Sequence, residues 1–296
     1  MNANQNDTGD SHFERNRFTI SIIGLGLIGG SMALALRGYR HAYLIGVDIN
    51  PKTRTMALQS GAVDEVYETA EQAVADADLV ILCVYPHHII EFAKTLMQTL
   101  KPGCIVSDVC GAKTKLYDEI VPLIPNHIDY VGIHPMAGKE IDGFENAEKA
   151  LFVNTGFLIT PLTHSRKESV DLMEELGRYI GATKLAVASP ALHDDIIGYT
   201  SDLMHISATA LCMHRHPDMT SAYTAGAFRD CTRVSNINPD LWTELLLSNA
   251  EGILPHLNRY LDYLNQMKQA IETNDAMALH ELLALASKNK KEMLTR

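Results

Sequence analysis

Residues Ile20-Ser21-Ile22-Ile23-Gly24-Leu25-Gly26-Leu27-Ile28-Gly29-Gly30 read as strand, tight turn and helix, and the rest of the chain is arranged around them. Glycines in Gly-x-Gly-x-x-Gly order let the chain turn sharply, let a pyrophosphate approach bare backbone and let the helix pack close to the strand. Gly24, Gly26, Leu27, Ile28 and Gly29 are therefore expected to bind a dinucleotide, with the helix N-terminus facing its phosphates. A second strand, Tyr43-Leu44-Ile45-Gly46-Val47-Asp48, ends in an acid about twenty residues beyond the last glycine, where this fingerprint puts the ribose-binding carboxylate. Asp48 there would accept from both ribose hydroxyls and repel a 2′-phosphate, selecting NAD; the competing reading is a solvated turn aspartate. Lys52 and Arg54 keep NADP open, although they belong to the helix that follows Pro51.

Strand and helix patterns alternate from this point. Further strands are expected at 79–84, 104–108, 128–133, 156–160 and 183–187. Helices are expected near 51–60, 70–76, 87–100, 113–121 and 165–180. Such alternation predicts a doubly wound sheet with its ligand crevice at the carboxyl ends of the strands. Beyond Pro190 only helical periodicity remains, in segments such as 241–265 and 275–293, and Gly252 and Pro255 predict a kink or break in the first of these. The fold class is α/β: a Rossmann-type doubly wound sheet followed by an all-helical C-terminal domain. The expected divisions are a disordered tail at 1–17, the nucleotide-binding domain at 18–188 and a helical substrate and dimerisation domain at 189–296.

A length of 296 residues, 46% hydrophobic and 21% charged, is that of an ordinary globular protein with room for two domains. The formal net charge of −11 argues against a nucleic-acid partner. The polar N-terminal residues are no signal peptide, and the apolar runs are too short to span a bilayer, which predicts a cytoplasmic protein without membrane association. The five cysteines show no metal-ligand spacing. No metal is expected, and Cys110 reads as a buried, inert thiol rather than a reactive one. His87 and His88 read as solvent-exposed.

Val131-Gly132-Ile133-His134-Pro135-Met136-Ala137-Gly138-Lys139-Glu140 is a strand running into His-Pro at the edge where the cofactor is expected. A histidine there can take a proton from a substrate hydroxyl while hydride departs; on position alone, a histidine that merely caps the strand serves equally well. This stretch resembles the Gly-x-His-Pro-Met-Ala-Gly-x-Glu signature of the prephenate dehydrogenases, NAD enzymes of tyrosine biosynthesis. His193-Asp194, followed by Ser201-Asp202-Leu203-Met204-His205, is similar to the family's His-Asp…Ser-His-Leu-Pro-His helix. Gly226 to Val234, with Pro239 and Trp242 after it, is similar to Gly-Phe-Arg-Asp-x-Thr-Arg-Ile…Pro-x-Met-Trp.

The resemblance implies an NAD-dependent oxidoreductase that converts prephenate to 4-hydroxyphenylpyruvate, carbon dioxide and NADH, and implies a homodimer through the helical domain. It makes His134 the catalytic base and Arg233 the clamp on a substrate carboxylate. It places His205 and Ser201 in the substrate pocket, His193 near the nicotinamide or substrate, and Glu140 and Asp230 as ionic partners of Arg233. Without it, Arg229, Asp230 and Arg233 read as a solvated salt-bridge face. Among the departures from the family pattern, three bear on the expected site. Gly111, in Ser107-Asp108-Val109-Cys110-Gly111-Ala112-Lys113, stands where a serine is usual. Asp202 and Met204 replace histidine and proline. Arogenate dehydrogenase shares every motif and is the alternative activity; a catalytically inactive NAD sensor rests on Gly111 alone. 3-Hydroxyacid dehydrogenases and imine reductases share the plan but are expected to lack His-Pro-Met-Ala-Gly.

Overall fold

One eight-stranded sheet, ordered β3-β2-β1-β4-β5-β6-β7-β8, carries the N-terminal two thirds of the chain. The computed structural model describes residues 17–139, 141–214 and 216–293. Nearly all of the expected N-terminal tail, and Glu140, therefore lie outside the described residues. In chain order the elements are β1 (Thr19–Ile23), α1 (Leu27–Leu36), β2 (Tyr43–Val47), α2 (Pro51–Gln59), β3 (Glu65–Tyr67), α3 (Ala70–Val74), β4 (Leu79–Leu82), α4 (Pro86–Thr95), β5 (Ile105–Asp108), α5 (Thr114–Ile120), β6 (Asp129–Met136), β7 (Gly156–Pro161), α6 (Lys167–Tyr179) and β8 (Lys184–Val187). Helices α7 (Pro190–Ile197), α8 (Leu203–Met213), α9 (Gly226–Thr232), α10 (Pro239–Ser248), α11 (Ala250–Glu272) and α12 (Ala276–Met293) complete the chain.

The two-residue period of the strands divides their apolar side chains between two cores. Leu79 and Ile81 of β4 pack with α1 and α6 on one face. Val80 and Leu82 pack with α4 and α5 on the other. Burying each such side chain stabilises the fold by about 1.5–3 kcal/mol, so both faces are committed and the sheet register is fixed.

Three features differ from expectation. β7 runs antiparallel to β6, whereas every other neighbouring pair is parallel. Its connection, 137–155, holds no α-helix among the described residues, only a 3-10 turn at Phe144–Asn146, and without a helical crossover the chain returns antiparallel. The short strand β3 was absent from the sequence pattern because its three residues are all half-buried and carry no alternation. The break expected at Gly252 and Pro255 falls instead at Asn249, and both residues lie inside α11. Gly252 serves a helix crossing: a Cβ there would stand 2.6 Å from the Asp194 carbonyl oxygen, and one on Gly198 would stand 2.5 Å from that of Gly252. Between α7 and α8 the helix carries a π segment, Gly198–Asp202, a widening often found at functional sites.

Candidate active site

The carboxyl ends of β1 and β2 build a cradle for a dinucleotide. Gly24 has φ +88°, and a Cβ on Gly29 would stand 1.8 Å from the Gly24 carbonyl oxygen, so neither position accepts a side chain. Gly26 faces open space, and as N-cap of α1 it offers no side chain to the helix's free N–H groups. Those donors are left for an anion. Asp48 secures the loop from the end of β2: Oδ2 accepts from Leu25 N at 3.0 Å and Oδ1 from Asn50 N at 2.8 Å. Each carboxylate oxygen keeps a second lone pair for a ribose hydroxyl. Arg54 is occupied, donating to the Asp48 carbonyl oxygen at 2.6 Å and pairing with Glu68. These residues fit NAD.

His134 lies within β6, at the same edge of the sheet, half-buried. Its Nδ1 is 2.9 Å from His193 Nε2, and His193 Nδ1 is 2.8 Å from Asp194 Oδ1. Asp194 is itself held at the start of α5, where Oδ1 accepts from Lys113 N at 2.9 Å and Oδ2 from Thr114 N at 2.7 Å. Burial opposes ionisation of Asp194, but the hydrogen bonds from His193, Thr114 and Lys113 outweigh it and hold the carboxyl below its ordinary range. Burial, reinforced by His193 and the Lys113 cation, holds His134 well below the usual histidine range. Burial also lowers His193, against the pull of Asp194. Both imidazoles are therefore neutral. A carboxylate only accepts, so His193 carries its proton on Nδ1, its Nε2 accepts from His134 Nδ1–H, and His134 Nε2 is left with a free lone pair. That is a base poised for a hydroxyl proton.

Behind β6 lies a sealed ionic group. Lys113 is fully buried, with Nζ 2.6 Å from Asp108 Oδ1 and 2.8 Å from the carbonyl oxygen of Ile133, the residue before His134. Asp108 also accepts from Cys110 N and Tyr130 OH. Cys110 is buried as expected, and burial pushes its thiol up to about 12. At Gly111 a Cβ would stand 3.6 Å from His134 Cε1 and 3.8 Å from Nε2. Packing thus leaves room for the serine of the family pattern; nothing in the structure forces glycine there.

Helix α10 covers this edge. Asn238 caps its start and donates to Tyr85 OH; Glu244 accepts from His87 N at 2.6 Å and meets the His87 ring at 2.8 Å. Leu245 lies over Gly111. His87, though half exposed, therefore ties α4 to this roof. Trp242 stacks on His205 with ring centroids 3.7 Å apart, and the carbonyl oxygen of Val234 lies 2.9 Å from His205 Nδ1. That contact joins α8 to the turn opened by Arg233. Arg233 and Asp230 are exposed on this chain and Ser201 is half-buried in the π segment. His193 and His205 are twelve residues apart on one helical run, at most about 18 Å of rise.

Asp202 turns inward, accepting from Asn249 Nδ2 at 2.7 Å, and burial pushes its carboxyl up to about 6. Met204 is exposed. The roof residues Asn238, Glu244 and Leu245 lie outside the motifs read from the sequence, and Asp108 and Lys113 stand in the Ser107–Lys113 stretch without a role expected of either. The Asn238-Pro239 cap and the Asp-x4-Lys spacing are the signals that point to them.

Residues 32–185 match the family model of the prephenate dehydrogenase nucleotide-binding domain, and residues 189–285 match that of the prephenate dehydrogenase dimerization domain. Cyclohexadienyl dehydrogenase of Zymomonas mobilis is 32% identical over 88% of this chain and 91% of its own length. The crystal structure of A. aeolicus prephenate dehydrogenase with hydroxyphenyl propionate and NAD+ has a TM-score of 0.83 and 28% identity, covering 94% of this chain and 99% of that one. Synechocystis arogenate dehydrogenase has a TM-score of 0.77 and 29% identity, covering 93% and 100%.

Proposed function

Because the chain belongs to the prephenate dehydrogenase family, we propose that it is the NAD-dependent enzyme that oxidatively decarboxylates prephenate to 4-hydroxyphenylpyruvate, with His134 as its base. The observation that carries this reading is the chain of contacts from His134 Nδ1 to His193 Nε2 and from His193 Nδ1 to Asp194 at the cofactor edge of the sheet, which leaves His134 Nε2 to accept a proton. Bound NAD+ supplies the hydride acceptor. His134 takes the ring-hydroxyl proton as a carbonyl develops, and loss of the ring carboxylate then makes the ring aromatic. Arg233 holds a substrate carboxylate with a planar, two-pronged guanidinium, with Asp230 and Glu140 as its ionic partners and His205 and Ser201 lining the pocket. Gly24, Gly26, Leu27, Ile28 and Gly29 hold the pyrophosphate, and Asp48 holds the ribose. His193, both of whose ring nitrogens are engaged within the protein, acts through His134 rather than on the cofactor.

Arogenate is the second reading, favoured by the similarity to an arogenate dehydrogenase; it places the same chemistry on an amino side chain. The fully formed His134 group weighs against an inactive NAD sensor. The helical domain also supports a homodimer, since Leu247, Leu254, Ile271 and Met277 are each more than half exposed on the single chain. No helix among the described residues is long and apolar enough to cross a membrane. The five free cysteines suit a reducing cytoplasm. Steady-state rates with prephenate and arogenate, each with NAD and NADP, test the assignment; the proposal requires turnover of prephenate with NAD.

A further inference from the structure

The proposed reaction consumes prephenate and NAD+ and yields 4-hydroxyphenylpyruvate, carbon dioxide and NADH, with no net release of a proton. One proton therefore leaves the ring hydroxyl as the carbonyl develops and one is returned when the ring becomes a phenol. A buried group beside the base can hold that proton between the two events.

Building on that reading of the function, we propose that His193 holds this proton during turnover: His134 accepts it at Nε2, passes the proton on its own Nδ1 to His193 Nε2, and both transfers reverse as the phenol forms. No bond changes other than these N–H and O–H bonds, and the positive charge comes to rest beside the Asp194 carboxylate. The geometry supports each transfer. The two imidazoles meet at 2.9 Å, and the second meets Asp194 at 2.8 Å. His193 is 1% exposed, so solvent does not compete for the proton. Asp194 is fixed from three sides, by Lys113 N, by Thr114 N and, through its own carbonyl oxygen, by Asn249 Nδ2 at 3.0 Å.

The charges facing the pair make the stay short. Lys113 and Asp108 from the β5–α5 side and Asp194 from α7 act on His193; His193, Lys113 and Asp194 act on His134; Asp194 in turn acts on Asp202 of the π segment. Lys113 opposes protonation of either ring, whereas the carboxylate favours it most at His193, which it touches. His193 is thus a positioning residue for His134 and the holder of its proton.

The test has two arms. Histidine 15N NMR of the unmodified protein reads the tautomers without substrate: Nδ1 protonated and Nε2 bare on both His134 and His193 is expected, and Nε2 protonated on either ring in the neutral protein overturns the proposal. The second arm is His193→Gln, whose side-chain oxygen still accepts from His134 Nδ1–H but takes no proton. Its kcat should fall at least about tenfold while KM for substrate and NAD stay within about twofold. The acidic limb of the kcat profile should move to lower pH, because the pair takes its first proton to rest on His193 beside Asp194, and His134 alone, buried and without a carboxylate in contact, binds it more weakly. A lowered kcat with an unmoved limb indicates a structural role and overturns the proposal, as does unchanged kcat. Absence of turnover in the unmodified enzyme refutes the assigned reaction, and the NMR tautomers then decide the pairing by themselves.

Discussion

His134 Nδ1 stands 2.9 Å from His193 Nε2, and this contact between β6 and α7 turns a strand-end histidine into a base of defined tautomer. Replacing His134 with Asn should leave NAD binding, read by fluorescence titration, unchanged while lowering kcat roughly 10²–10⁴-fold. Unaltered turnover would remove His134 from the chemistry.

The same burial sets the pH dependence. A histidine whose pKa is lowered stays unprotonated, and so basic, to more acidic pH. The acidic limb of kcat/KM should therefore lie below the ordinary histidine value of about 6.5. A limb at or above that value contradicts a buried neutral base.

Arg233→Ala should chiefly raise KM for prephenate, since a carboxylate clamp acts on bound substrate and transition state alike. A fall in kcat with KM unchanged would assign Arg233 another task. NAD binding serves as the control.

Asp48→Ser should relax the preference for NAD over NADP, measured as the ratio of the two kcat/KM values, by removing the carboxylate that repels a 2′-phosphate. It also removes the acceptors for Leu25 N and Asn50 N, so affinity for NAD should fall too. Discrimination that survives intact would place cofactor choice elsewhere.

Asp202 offers a stability test. Its folded-state pKa is raised from 3.8 to about 6, chiefly by burial. A carboxyl raised in this way costs nothing below its unfolded pKa, costs increasingly as pH climbs between the two values, and costs its full amount above the folded one. That amount is at most about 3 kcal/mol. Asp202→Asn should thus be more stable than the parent in urea at about pH 8, with the gain shrinking at about pH 5. An equal gain at both pH values would show that ionisation is not its source.

Much of this was legible in local sequence. The glycine turn at 24–29, Asp48 at the end of β2 and His134 near the end of β6 are each placed by a short pattern whose geometry is set by neighbours in the chain. The contacts that complete the site are tertiary. His193-Asp194 is visible as a motif, but its role depends on α7 meeting the start of α5, which in turn rests on the Gly198–Gly252 crossing. Lys113 is visible only as the end of the Ser107–Lys113 stretch, and its burial with Asp108 follows once β5 and β6 enclose it. The π segment and the reversal of β7 leave no signature in apolar periodicity, because one follows from helix packing and the other from a connection lacking a crossover helix.

Supplying prephenate and NAD+ to the purified protein and following NADH, carbon dioxide and 4-hydroxyphenylpyruvate together decides whether His134 drives an oxidative decarboxylation. The three products should form in equal amounts, with no net change in proton concentration from the reaction itself and with loss of all three in His134→Asn. NADH formed without carbon dioxide, or no NADH from either prephenate or arogenate, would contradict that reaction.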